Sequence, residues 1–131
     1  NIDAEYLGEL LPSEVACAFS EGDLFAFPTR GENFGHVIFE ALNASCPVLV
    51  SDQTPWQPDN TSALVRLPLG AVEGWRACIE TVAQLSATAQ EERRAMARGY
   101  ARRHATLGNA RKDNLHMFKE VARRSNKEVS I

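Results

Sequence analysis

At 131 residues, 44% hydrophobic and 24% charged, the chain has the size and composition of one globular domain, without the low hydrophobicity of a disordered segment. No apolar run reaches the roughly 20 residues that cross a bilayer, and no charged, apolar, small-residue leader pattern opens the chain, so it reads as cytoplasmic. Net charge is −3, yet ten acids against one base, Arg30, fall in residues 1–60 and thirteen bases against seven acids in residues 61–131. No aromatics interleave the arginines, so two complementary halves of one fold are expected rather than a nucleic-acid surface.

The first residue is Asn1 rather than Met, which raises the expectation of an excerpt from a longer protein. Ala4 to Leu11 reads as a short strand. Pro12-Ser13-Glu14 then opens a helix, with Ser13 as its cap over Val15, Ala18 and Phe19. Glu21-Gly22-Asp23 ends it. The apolar run Leu24 to Phe27, closed by Pro28, reads as a strand buried on both faces, and Thr29 to Asn33 as a loop.

From Phe34 to Asn43, Phe34, Val37, Ile38, Ala41 and Leu42 recur at three and four and draw one face of a helix. Pro47 to Ser51 is a second fully apolar strand, residues 52–61 a loop, and Ala63 to Leu67 a further short strand. Alternating strands and helices with short connections predict a parallel α/β sheet with helices on its faces. After Gly70 the pattern turns helical: Val72 to Leu85, a charged helix from Thr88 to His104, a break at Gly108-Asn109, and a last amphipathic helix over Ala110 to Ser125. One domain over 1–131 is expected, an α/β core in 1–70 and a helical part in 71–131. Cys17, Cys46 and Cys78, set among small apolar residues, read as buried thiols rather than disulfides or metal ligands.

In such sheets a ligand sits beyond the carboxyl ends of the strands, where loops enter helix N-termini. The loop Pro28 to Asn33 lies there. Gly31 and Gly35 allow close backbone approach, and the N–H groups of Asn33 to His36 favour an anion such as phosphate. Glu32 stands in the same opening, able to accept hydrogen bonds from hydroxyls or to face developing positive charge. Glu40 shares a helical stripe with Asn33, His36 and Val37, placed to hold a vicinal diol such as a ribose. The plainer readings are a dipole-complementing Glu32, a solvated Glu40 and Arg30, a packing His36, and a Trp56 that covers an edge.

The segment PTRGENFGHVIFEALNASCPVLVSDQTPW resembles the donor-binding core of retaining GT-B glycosyltransferases, family four. The shared pattern is Glu32, seven residues, Glu40, Ala41-Leu42 and the Pro47-Val48 strand. The resemblance implies a Rossmann-like C-terminal half of a GT-B fold. It places Glu32 beside the donor sugar and reacting centre as the catalytic carboxylate, with ion-pair stabilisation and covalent attack both open, and Asn33, Phe34 and Gly35 at the donor through their N–H groups. Glu40 falls at the ribose, Val37 beneath the nucleoside, and Thr29 and Arg30 border the pocket. Residues 51–56 would be the loop near the donor or acceptor cleft.

The implied substrate is a UDP- or GDP-sugar. The implied reaction is transfer of a hexose with retention to a glycan or lipid-linked acceptor held by an N-terminal domain, in polysaccharide biosynthesis. No Asp-x-Asp pair is present, in keeping with a site that needs no metal and no separate cofactor. The cations that meet the diphosphate belong, by this resemblance, upstream of Asn1, so the chain alone is expected to be inactive. Peripheral membrane association of the parent and self-association of the excerpt stay open. A non-catalytic nucleotide-binding or interaction module, or a sugar epimerase of GT-B type, are the alternatives.

Overall fold

A computed structural model describes residues 3–105; the expected break at Gly108-Asn109 and the last helix lie outside them. Residues 4–9 are exposed, Leu10 is half-buried, and none of them forms a strand, which corrects the first expectation. Tyr6, 93% exposed, and Leu7 bury little side chain here, so the apolar residues of this stretch contribute no strand face.

Helix α1, Pro12–Glu21, has its N-cap two residues earlier than the sequence suggested. Leu11 is its N-cap and Pro12 takes the first helical position, where its missing N–H costs nothing. Ser13 therefore lies inside the helix and does not cap it. The Glu14 carboxylate instead accepts from the Leu11 N–H at 2.6 Å, half of a capping box. Gly22 closes the helix by donating to the Ala18 and Phe19 carbonyls, both at 3.1 Å.

Three parallel strands follow in the order β1–β2–β3: β1 Phe25–Phe27, β2 Val48–Ser51 and β3 Leu64–Leu67. The register pairs Phe25 with Val48, Phe27 with Val50, Val48 with Leu64 and Ser51 with Leu67. Central β2 is buried at every position, as its unbroken apolar run requires. β1 is not buried on both faces: Phe25 and Phe27 stack at 5.4 Å on one side, while Ala26 on the other is exposed. Its place at the end of the strand order, rather than in the middle, explains the difference.

Helix α2, His36–Asn43, connects β1 to β2 and turns Ile38, Ala41 and Leu42 into the core. Between β2 and β3 no helix forms. Parallel strands need a crossover of a dozen or more residues, and here residues 52–63 supply it as irregular chain around a buried Trp56, 5% exposed. Helix α3 spans Val72–Ala83, and helix α4 spans Ala87–Arg103 with the Ser86 hydroxyl accepting from the Ala89 N–H at 3.2 Å. Buried Ala97 and Ala101 let α4 pack closely on α2.

The two charge halves do complement each other. Arg94 pairs with Asp23 at 3.1 Å and Arg103 with Asp59 at 2.6 Å, each joining α4 to the acidic half. The thiols divide: Cys46 is buried and Cys78 half-buried, but Cys17 is exposed, because it sits on the outer side of α1, whose residues are nowhere fully buried. All three are free.

Candidate functional site

The carboxyl ends of β1 and β2 release two loops at the same edge of the sheet, residues 28–35 and residues 52–63. The second braces the first at three points. The Ser51 hydroxyl donates to the Thr29 carbonyl at 2.5 Å, the Glu32 N–H donates to the Gln53 carbonyl at 3.1 Å, and the Trp56 indole N–H donates to the Phe34 carbonyl at 2.5 Å. The brace is held in turn from behind. Arg66 on β3 donates to the Asp52 carbonyl at 2.7 Å and the Gln57 side chain at 2.9 Å. Tyr100 on α4 donates its hydroxyl to the Gln57 carbonyl at 2.5 Å. Burial pushes the Tyr100 phenol up to about 12, so it remains a donor through the neutral range.

The sequence-predicted residues lie along this loop and the start of the following helix. Thr29 spends its side chain within the loop, donating to the Gly31 carbonyl at 2.9 Å and accepting from the Gly31 N–H at 3.2 Å. Arg30 and Asn33 are exposed and Glu32 half-buried. The Phe34 ring, 55% exposed, stacks on the His36 imidazole at 5.6 Å with planes 4° apart. Val37 is half-buried against the core.

The helix begins at His36, not Phe34, with Gly35 as N-cap at φ 65°, ψ 51°. This left-handed conformation suits glycine, and space demands it as well. A Cβ there would stand 2.6 Å from Ile38 Cδ1 and 2.9 Å from Trp56 Nε1. The shifted start removes Asn33 from the stripe of Glu40. It leaves Glu40 with His36, on the side of α2 away from Ile38, Ala41 and Leu42, and exposed.

The N–H groups of Asn33, Phe34, Gly35 and Val37 meet no acceptor among the described residues. Gly35 is itself buried. Backbone donors left over at a helix start, backed by its dipole, form a natural seat for an anion, and Glu32 stands at the near end of the run. Among the described residues no three His, Cys, Asp or Glu side chains gather as metal ligands, and no helix is long and apolar enough to cross a membrane.

The bracing residues Ser51, Gln53 and Trp56 were not singled out by the sequence as partners of the Glu32 loop. A buried indole in a polar, proline-flanked loop needs an acceptor for its N–H, and that was the available signal.

A parallel α/β sheet with helices on its faces is a Rossmann-like arrangement. The chain belongs to the family of glycosyl transferases group 1, whose pattern it matches over residues 2–85. Comparison with curated proteins and with solved structures found no match.

Proposed function

We propose that the chain is the donor-binding part of a retaining glycosyltransferase and takes a nucleotide diphosphate sugar, of the UDP or GDP type, at the mouth formed by residues 29–40. The observation that carries this reading is the set of N–H groups of Asn33, Phe34, Gly35 and Val37, which meet no acceptor among the described residues, next to the Glu32 carboxylate, in a chain of glycosyltransferase family. The diphosphate accepts from these amides. Held there, it leaves as a stabilised anion while the helix dipole offsets its growing charge.

Glu32 faces the donor sugar, where a carboxylate lowers the energy of positive charge developing at the anomeric carbon. Glu40 accepts hydrogen bonds from the ribose hydroxyls, and Val37 packs beneath the nucleoside. Thr29 shapes the loop through Gly31 and so acts on the pocket border through its backbone, while Arg30 offers the nearby cation. The metal and any separate cofactor are absent from this reading. The acceptor, a glycan or lipid-linked sugar, is held by a second domain, and without it the chain alone binds donor but does not transfer.

Calorimetric titration of UDP- and GDP-sugars tests this. One of the two classes is expected to bind, with Glu40→Ala weakening it by about tenfold or more, the size of one or two hydrogen bonds to a charged group. Unchanged affinity in Glu40→Ala would remove the ribose assignment, and no binding of any nucleotide diphosphate sugar would remove the proposal.

A further inference from the structure

Trp56 is 5% exposed and its ring is enclosed by Phe39, Tyr100 and His104, with centroid separations of 6.3, 6.0 and 6.3 Å. Packing of this kind fixes a ring and needs no further function. The indole N–H, however, reaches across 22 positions to the Phe34 carbonyl at 2.5 Å. That carbonyl belongs to the same peptide unit as the Gly35 N–H. In a trans peptide the two point in opposite directions within one plane, and no cis peptide occurs among the described residues. Holding the carbonyl therefore aims the amide.

Gly35 tightens the coupling. Its left-handed backbone lies so close to the indole that a side chain would stand 2.9 Å from Trp56 Nε1. A freely rotating 34–35 peptide would offer its N–H in many directions, and ordering it at the moment of binding costs affinity. A fixed one is already aimed.

From this geometry we propose that Trp56 is a positioning residue for the donor site: from behind the loop, its N–H sets the Phe34–Gly35 peptide so that the Gly35 amide faces the bound phosphate. Trp56 does not touch the ligand. The proposal rests on the donor-binding reading of the mouth and adds to it a residue from the β2–β3 crossover, outside the Glu32 to Glu40 motif. The chemistry recognised is a phosphate oxygen, and the specificity lies in one amide direction rather than in a side chain.

The test is Trp56→Phe in the full chain, which keeps an aromatic ring in the cluster while removing the indole donor together with part of the ring's volume. Two readouts separate the claims. In ¹⁵N-labelled protein without ligand, the Gly35 amide resonance is expected to move or broaden in the variant while core amides such as Val48 to Val50 stay in place. A folded variant with an unchanged Gly35 amide overturns the positioning role whether or not the chain binds nucleotides.

In calorimetric titration with UDP- and GDP-sugars, the variant is expected to bind about tenfold more weakly than the parent sequence. Val82→Ala, which removes buried side chain from α3 away from the loops, is expected to bind within about twofold of it despite lower stability. Equal losses in the two variants would make Trp56 merely structural. Failure of the unmodified chain to bind either sugar would remove the donor reading and the proposed phosphate target with it, and the amide readout alone would then report whether Trp56 sets the peptide. If Trp56→Phe does not fold, the unmodified ¹⁵N-labelled chain is read instead: the Trp56 indole N–H is expected to be protected from hydrogen exchange, and an unprotected indole N–H overturns the bond that sets the peptide.

Discussion

The Trp56 indole and the Phe34 carbonyl, 22 residues apart in sequence, are hydrogen-bonded at 2.5 Å. That bond ties the crossover between β2 and β3 to the start of α2. It sets the local stability of the mouth as well as its shape, since Gly35 is pressed between the indole and Ile38.

Gly35→Ala is expected to be costly. The alanine would carry a positive φ, and its Cβ would meet an indole that is hydrogen-bonded and packed on several sides, so only Ile38 Cδ1 has freedom to yield. Left-handed strain and overpacking together predict a loss of about 2–4 kcal/mol, measured by urea unfolding. A loss below about 0.5 kcal/mol would mean that the loop relaxes away from Trp56 at little cost.

Most of the fold was legible because its core elements carry clean periodicities. Ile38, Ala41 and Leu42 fix the buried side of α2, and the continuous run Val48 to Val50 can be satisfied only in a central strand. The stretch 4–10 misled because apolar residues next to acids mimic strand alternation, whereas no strand among the described residues pairs with them. Helix starts shifted for local reasons. Pro12 took the first helical position ahead of Ser13, and Gly35, in a conformation invisible to periodicity, delayed α2 by two residues. Spacing and resemblance single out Glu32 and Glu40 as candidate site residues. They do not single out the Ser51, Gln53 and Trp56 brace, since it consists of contacts to backbone atoms and so leaves no complementary pair of residue types to read.

Acid should act partly through Asp59. Burial raises its pKa, but the Thr61 hydroxyl and N–H and the Arg103 guanidinium outweigh that and hold the carboxyl below its ordinary 3.8. A group depressed on folding contributes stability that is present above its unfolded value and lost as pH falls through the lower folded one. Thermal midpoints of the unmodified chain should therefore fall below about pH 4, and Asp59→Asn should be less stable at pH 7 with a shallower acid limb. Parallel acid limbs in the two proteins would show that Asp59 carries no such linkage.

The thiols should react in order of burial. Cys17 is exposed, whereas desolvation pushes the Cys46 thiol up to about 11 and raises Cys78 as well. Only the thiolate attacks a disulfide reagent. At pH 7.5, roughly one unit below the ordinary thiol value, the native chain should label first at Cys17, and Cys46 should label only on unfolding. Early labelling of Cys46, read by peptide mass, would contradict the burial described here.

Arg93 on α4 is 9% exposed, and among the described residues its Nε has no acceptor and its guanidinium donates at 3.3 Å to the Ser62 carbonyl. Burial lowers its pKa, and among the described residues no carboxylate pairs with it. An isosteric apolar side chain avoids the desolvation cost of a buried guanidinium. Arg93→Met should therefore leave unfolding free energy unchanged or raise it by up to about 2 kcal/mol, and a clear loss of stability would show that the guanidinium is better satisfied than these contacts indicate.

The claim that the donor diphosphate is held by the amides at the start of α2 is tested most directly by titrating the ¹⁵N-labelled chain with a UDP- or GDP-sugar and following each backbone amide. The account predicts that the largest shifts fall on Asn33, Phe34, Gly35 and Val37, with smaller ones at Glu32 and Glu40. Saturable shifts centred elsewhere, with Asn33 to Val37 unmoved, would contradict it.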